Sequence, residues 1–259
     1  MIRLTVLGAC GTYPAAGRAC SGYLVEASGP AGPARVWVDT GPGTLANLLR
    51  VANLPDLDGI WVSHLHVDHV GDLPITNYAL RYGDFQPPPA RVPVFGPPGW
   101  ADHVGKFLAT GDPDPVASAF EVHDLRDGER IELGPLTLEA VATVHSIETY
   151  GVRVAAGGAT VAYSADSGPC DALGRLAEGA DLFVCEAAWA TWPDGAEPIH
   201  MTPDLAGRWA AEAGAGRLLL THLRPGSDLG AAAARAADAY GGPAELATEL
   251  RRYQIGEPS

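Results

Sequence analysis

Four ligand-type side chains crowd the stretch Ser63-His64-Leu65-His66-Val67-Asp68-His69-Val70-Gly71, where His64, His66, Asp68 and His69 are spaced H-x-H-x-D-H. Neutral imidazole and carboxylate are the groups that Zn²⁺ and similar divalent metals take as ligands. The apolar run Ile60-Trp61-Val62 leads into them. In an extended segment, residues i and i+2 project to the same side, so His64 and His66 can reach one ion. Asp68 and His69 follow where the chain must turn into a helix and can reach a second position beside the first. Four solvated polar residues in a surface loop is the competing reading, but lone histidines are common and four ligand types so close together are not.

The H-x-H-x-D-H run resembles the signature of the metallo-β-lactamase superfamily of binuclear metallohydrolases. The other motifs of that superfamily have counterparts in the same order. Asp39 closes an early strand in Val36-Trp37-Val38-Asp39-Thr40-Gly41, and His145 stands where a later lone His is expected. Asp166 in Tyr163-Ser164-Ala165-Asp166-Ser167-Gly168 matches the bridging Asp, and His222 in Leu220-Thr221-His222 matches the last His. The resemblance covers nearly the whole chain. It implies that His64, His66 and His145 hold one metal, that Asp68, His69 and His222 hold a second, and that Asp166 bridges them. Two divalent ions, Zn²⁺ or alternatively Mn²⁺, would share a water, lower its pKa and present a hydroxide nucleophile at neutral pH. Asp39 is then expected behind a ligand, orienting a histidine; the alternative for it is an Asx turn before Gly41.

Several details are similar to the ribonuclease Z-like and phosphodiesterase branch. The bridging position is Asp, where true β-lactamases place Cys. Cys185-Glu186-Ala187-Ala188-Trp189 resembles the branch's H-E-A-T motif with Cys for His and Ala for Thr, and His200-Met201-Thr202 resembles its H-S-T motif. With Asp68, the residues His200 and Glu186 form the expected catalytic group. His200 precedes Thr202-Pro203, a good N-cap and first-turn pair, and so falls at a helix N-terminus where an anion is welcome. There it can donate to a phosphate oxygen or protonate a leaving alkoxide, with Glu186 holding its ring. A solvent-exposed His beside a cap is the plainer alternative. Trp189 and Trp192 are candidates for stacking a nucleobase, and equally for packing or a dimer interface. Arg224 could meet a phosphate or form a surface ion pair. His103 and His123 fall outside every motif.

These groups must be positioned by a succession of short elements. Strand patterns are expected at Ile2–Leu7, Gly22–Ala27 and Arg35–Val38, the last two joined by a hairpin loop at Gly29-Pro30-Ala31-Gly32-Pro33. A helix with Thr44 as N-cap is expected to run to Ala52. Strand Ile60–Val62 delivers the metal motif, and a helix ends at Tyr82. After strand Val92–Phe95 and helix Pro98–Leu108 comes a β-rich middle at Phe120–His123, Arg130–Leu133, Leu136–Val144, Gly151–Ala155 and Thr160–Ser164. The last third alternates helix Cys170–Ala177, strand Asp181–Cys185, helix Thr202–Ala213, strand Arg217–Thr221 and helix Gly230–Tyr240, with a short strand near the end. Runs of strands followed by alternating helix and strand establish an α/β protein. The four-layer αββα sandwich is what the resemblance adds. Motifs that run from Asp39 to His222 argue for one domain over residues 1–259.

Composition bounds the partners. The net charge is −14, Lys106 is the only lysine, and the arginines are scattered apart from Arg251-Arg252. Binders of long nucleic acids draw much of their affinity from Lys and Arg on phosphates, so a long polyanion is disfavoured and a small anionic substrate is favoured. Ribonuclease Z grips precursor tRNA with a long arm inserted between the lone His and the bridging Asp. Here the span from His145 to Asp166 holds only two strand patterns and Ala156-Gly157-Gly158-Ala159. Among armless relatives, the wording is similar to bacterial cyclic-nucleotide phosphodiesterases of this fold, which implies hydrolysis of a 3′,5′-cyclic nucleotide to the 5′-monophosphate. Arylsulfatase-like, lactonase-like or RNA 3′-end-processing activity on the same site is the alternative, and a non-catalytic metal-binding interaction protein is an alternative of another class. Apolar residues make up 47% of the chain, and mean hydropathy is +0.04. No apolar run is long enough for a membrane span, and Met1-Ile2-Arg3-Leu4 enters a strand without a signal-peptide pattern. Cys10, Cys20, Cys170 and Cys185, widely spaced, read as small hydrophobes of a reducing compartment. The expectation is a cytoplasmic enzyme, and the resemblance adds a homodimer.

Overall fold

The computed structural model describes residues 1–30, 32–108, 112–195 and 197–256. Strands β1 (Ile2–Gly8), β2 (Gly22–Gly29) and β3 (Gly32–Val38) form an antiparallel meander, and helix α1 (Thr44–Leu48) leads on to β4 (Gly59–Trp61). Helices α2 (Val67–Val70) and α3 (Leu73–Tyr82), β5 (Val92–Gly96), α4 (Trp100–Gly105) and β6 (Phe120–Asp124) complete the first half. The second half runs β7 (Arg130–Leu133), β8 (Leu136–Ala142), β9 (Tyr150–Ala156), β10 (Ala159–Tyr163), α5 (Asp171–Ala177) and β11 (Leu182–Glu186). It continues with α6 (Pro203–Glu212), β12 (Leu218–Thr221), α7 (Leu229–Tyr240), β13 (Ala244–Leu246) and β14 (Arg252–Ile255).

Two seven-stranded sheets result, ordered β14-β1-β2-β3-β4-β5-β6 and β13-β12-β11-β10-β9-β8-β7. Each is antiparallel in its earlier strands and parallel in its later ones, from β3 to β6 and from β10 to β13. Parallel strands are covered on both faces and so read as unbroken apolar runs. β4, β11 and β12 are buried at every residue. β8, flanked by antiparallel partners, alternates over its first residues instead.

Three apolar layers hold the architecture. Val25, Val36, Val38, Leu138, Val154 and Val161 fill the space between the sheets. On the outer face of the first sheet, Leu48, Leu73, Leu80 and Trp100 from the helices meet Leu24, Trp37 and Ile60. On the outer face of the second, Leu173, Leu176, Ala206 and Ala236 meet Phe183, Leu218 and Leu220. The order is helix, sheet, sheet, helix, the αββα sandwich. Burying each such Leu, Val or Phe contributes roughly 1.5–3 kcal/mol relative to exposure. The Ala-rich run Ala231–Ala234 lies in α7, whose N-cap Asp228 accepts from Ala231 N at 2.9 Å. Small residues there admit α6 at close range: a Cβ on Gly207 would lie 2.4 Å from Ala236 O.

Boundaries differ where glycine and proline intervene. α1 stops at Leu48 rather than Ala52, and its N-cap is Gly43 with φ 94°, not Thr44, whose hydroxyl donates to Gly41 O at 2.6 Å. α4 begins at Trp100 after Gly99 with φ 84°, not at Pro98. Ala31, within the expected hairpin loop, lies outside the described residues, and β2 and β3 pair from Ser28↔Pro33 and Gly29↔Gly32 onward. Among the described residues no helix is long and apolar enough to cross a membrane.

Candidate metal centre

Every parallel strand near the middle of each sheet ends at the same rim of the sandwich, the edge where open α/β sheets bind ligands. The chain leaves β3 at Asp39, β4 toward Ser63 and His64, β10 toward Asp166, β11 at Glu186 and β12 at His222. Strain collects there: Asp39, Ala165 and His222 take φ of 56°, 53° and 56°, and Thr12 takes 70°. Non-glycine residues hold such angles only when their surroundings over-determine them.

The rim gathers two groups of side chains. In the first, Nδ1 of His66 lies 3.1 Å from Nε2 of both His64 and His145, and Asp166 Oδ2 is 3.7 and 3.8 Å from those two Nε2 atoms. In the second, Nε2 of His69 and His222 lie 3.1 and 3.2 Å from Asp166 oxygens, and Asp68 Oδ2 is 3.8 and 3.7 Å from the same nitrogens. The ligand atoms of each group lie within 4.8 Å of one another, and Asp166 belongs to both. Ligands at 2.0–2.2 Å from a tetrahedral Zn²⁺ stand about 3.3–3.6 Å apart, so the spacing suits a small divalent ion in each group. His69 Nε2 and Asp166 Oδ1 are buried without a hydrogen-bond partner, which is costly unless a cation lies between them. The cluster fits divalent metal.

The outward nitrogens are pinned, as metal-ligating histidines require. His69 Nδ1 bonds Asp39 Oδ2 at 2.7 Å, His222 Nδ1 meets Ser21 Oγ at 3.0 Å, and His64 Nδ1 meets Ser63 Oγ at 3.0 Å. His145 Nδ1 donates to Ile199 O at 2.8 Å. Asp39 also accepts from Ser63 N, Ser63 Oγ and Tyr163 OH, each at 2.8 Å. It thus bonds a histidine of the cluster from behind rather than closing an Asx turn. Thr12 N donates to Asp68 Oδ2 at 2.7 Å.

Burial holds His64, His66, His145 and His222 below the usual imidazole range, keeping them neutral as ligands must be. At His69 burial acts the same way, but the carboxylates of Asp166 and Asp39 outweigh it and raise the ring well above 6.5. Asp166 is depressed well below 3.8, since His222 and His69 overcome its desolvation.

Residues 34–223 match a family model described as a beta-lactamase superfamily domain. The chain belongs to the beta-lactamase superfamily. An uncharacterised protein of Mycobacterium tuberculosis is 37% identical over 227 residues, covering 86% of this chain and 81% of its own. The probable metallo-hydrolase YhfI of Bacillus subtilis is 32% identical, covering 86% and 87% of the two chains. In its crystal structure it aligns with a TM-score of 0.83 at 29% identity, over 98% of this chain and 99% of that one. The ribonuclease Z of Mycobacterium avium is 31% identical over 100% of both chains. The chain is a metal-dependent hydrolase of the superfamily's ribonuclease Z and phosphodiesterase branch.

Beside the cluster, His200 Nδ1 bonds Glu186 Oε1 at 2.7 Å and lies 4.0 Å from Asp166 Oδ2. Glu186 is fixed by Ser167 N at 3.0 Å and Ala188 N at 2.9 Å. Burial lowers His200, but the bond to Glu186 and its charge prevail and raise the ring above 6.5. Thr202 occupies the N-cap position of α6 without a side-chain capping bond, and Pro203 starts the helix, so His200 lies just before a helix N-terminus, as the sequence indicates. Cys185, which replaces a histidine of this superfamily branch, points away: it packs among Met201, Ala206 and Leu220 on the helix side. Alternation along β11 sends Glu186 inward and Cys185 outward, so the replacement leaves the His200–Glu186 pair intact. Cys10 and Cys20 are buried like Cys185, Cys170 is half-buried, and all four are free thiols.

Trp189 stands 5.4 Å from the His200 ring. Trp192, itself exposed, packs edge-on against Trp189 with ring centroids 5.4 Å apart. Arg224 is exposed and lines the same groove as Trp189. His123 stacks on Phe95 and His103 packs against Phe107, away from the cluster. Sequence reasoning missed Ser21, Ser63, Tyr163 and the Thr12 amide. Ser63 was findable, because it precedes His64 at a strand end; the other three come from the loop between β1 and β2 and from the end of β10, and only the tertiary structure brings them in.

Proposed function

We propose that this chain is a phosphodiesterase that hydrolyses a 3′,5′-cyclic nucleotide to the nucleoside 5′-monophosphate. The resident metals of this reading are two Zn²⁺ ions, with Mn²⁺ as a substitute, held by His64, His66 and His145 on one side and Asp68, His69 and His222 on the other, with Asp166 shared. The carrying observation is a proton donor next to a doubled ligand cluster: His200, committed through Nδ1 to Glu186, has Nε2 left to face substrate. Divalent ions in the cluster supply Lewis acidity that activates water and offsets phosphoryl charge. His200, its pKa raised by Glu186, donates from Nε2 to the 3′-oxygen as the P–O3′ bond breaks, while an oxygen of water bonds to phosphorus and gives up its proton to solvent. Proton transfer of this kind contributes roughly 10²–10⁴-fold. Glu186 keeps the ring oriented and its pKa high.

A small substrate accords with the −14 charge and with β9 and β10, which fill the span between His145 and Asp166 as a tight hairpin. The full-length similarity to a ribonuclease Z favours one second reading, RNA 3′-end processing. Assay of metal-loaded protein on cyclic nucleotides, bis(p-nitrophenyl) phosphate, p-nitrophenyl sulfate, a lactone and precursor tRNA separates these. Turnover of cyclic nucleotides is expected; turnover of the sulfate, lactone or tRNA alone contradicts the proposal. A cytoplasmic homodimer completes the reading, with the dimer tested by light scattering.

A further inference from the structure

Beyond the cluster, one groove of about 340 Å³ adjoins the reacting centre, lined by Trp189, Thr191, Arg224, Pro225 and Ser227 among others. It is of a size that small-molecule subsites take. One wall carries an aromatic ring 5.4 Å from the ring of His200, and the other follows His222 by two residues. The Trp189 wall is built, not loose. Trp189 N donates to Met201 O at 3.1 Å, and Arg235 ties Ala190 O to the Asp204 carboxylate of α6. Trp192 braces the ring edge-on. Arg224, which lines the same groove, has no ion-pair partner among the described residues and is exposed, in a chain with a large excess of acid. An unpaired guanidinium beside an anion-processing centre matches the geometry of phosphate recognition.

We infer that this groove is the nucleoside subsite, in which Trp189 stacks the base and Arg224 holds the phosphate-bearing end of the same nucleotide. The inference rests on the phosphodiesterase reading and deepens it by dividing substrate recognition between two residues. Base–aromatic stacking tolerates any base, because every base offers a π-face. The subsite therefore favours nucleotides over other phosphate esters without selecting strongly among bases.

Calorimetric binding of adenosine 5′-monophosphate and of ribose 5-phosphate to the metal-loaded chain tests this, since the second keeps the phosphate and the sugar but has an anomeric hydroxyl in place of the base. Wild type is expected to bind the nucleotide about tenfold more tightly or better. Trp189→Ala removes that difference and leaves ribose 5-phosphate affinity within about twofold; Trp189→Phe restores most of it. Arg224→Ala, at an exposed position that folding does not depend on, weakens both ligands by a similar factor and keeps their ratio. Equal binding of both ligands by wild type overturns the subsite, as does undiminished discrimination in Trp189→Ala or unchanged affinities in Arg224→Ala. If cyclic nucleotides are hydrolysed while these results fail, only the subsite falls. Failure of every cyclic nucleotide to turn over strikes the phosphodiesterase reading itself.

Discussion

Oδ2 of Asp39 and Nδ1 of His69 stand 2.7 Å apart with both side chains fully buried. The bond fixes which nitrogen of His69 faces the cluster and makes that nitrogen a better ligand. Asp39→Asn keeps the shape but sets an amide against the donors of His69, Ser63 and Tyr163. Metal affinity should fall about 10–100-fold, read by competition with a chromophoric chelator. Unaltered affinity would mean that Asp39 serves only packing.

The His200–Glu186 pair gives activity a pH dependence with a definite sign. Glu186 raises His200 above 6.5, so the protonated donor persists to higher pH than a free imidazole would and activity is lost as pH climbs through the raised pKa. Glu186→Gln removes the charge, lowers that pKa and moves the basic limb of the kcat profile to lower pH. His200→Ala should cut kcat about 10²–10⁴-fold with metal content unchanged, and a drop in bound metal would make His200 a ligand instead.

Gly168 links three loops of the site. Its amide donates to Val144 O at 2.7 Å, next to His145, and it lies two residues after Asp166. A Cβ there would fall 1.5 Å from Pro198 O, just before His200. Because that neighbour is backbone, the Pro198–His200 segment must shift. Gly168→Ala should destabilise by about 1–3 kcal/mol in denaturant unfolding and depress kcat more than metal content. Wild-type stability in this variant would show that the close approach does not constrain the loop.

Much of this was legible in the sequence because the ligands lie at strand ends, where the alternation of apolar run and polar cluster is local. His64, His66, Asp68 and His69 could be read from one stretch, and Asp39, His145, Asp166 and His222 from their order along the chain. The buried runs at β11 and β12 were equally plain, since central parallel strands are apolar throughout. The early end of α1 was not legible: Gly43 in the left-handed region starts that helix, whereas the sequence offers Thr44 as the better cap. The outward positioning of Cys185 follows from strand register, which the sequence alone did not fix. Ser21, just before β2, and Tyr163, at the end of β10, reach the cluster from places far away in sequence, and no spacing rule connects them to it.

Metal uptake should release a proton. Without an ion, Asp166 and Asp39 keep His69 protonated at neutral pH, and a ligating imidazole must be neutral. Burial already keeps the other four ligand histidines neutral. Calorimetric titration of Zn²⁺ at pH 7 in buffers of different ionisation enthalpy should therefore show release of about one proton attributable to His69, and uptake weakening as pH falls. At a free Zn²⁺ concentration of 100 Kd the stabilisation is about 2.7 kcal/mol, seen as a rise in Tm of roughly 5–10 °C. Equal Tm with and without chelator would contradict it.

The most direct test quantifies metal by elemental analysis in wild type and in Asp166→Ala, alongside hydrolysis of a cyclic-nucleotide panel. Because Asp166 belongs to both ligand groups, wild type should carry two divalent ions per chain and produce the nucleoside 5′-monophosphate, and Asp166→Ala should lose metal from both positions together with turnover. Full metal content in Asp166→Ala, or a metal-replete wild type inert toward every cyclic nucleotide, would contradict the account.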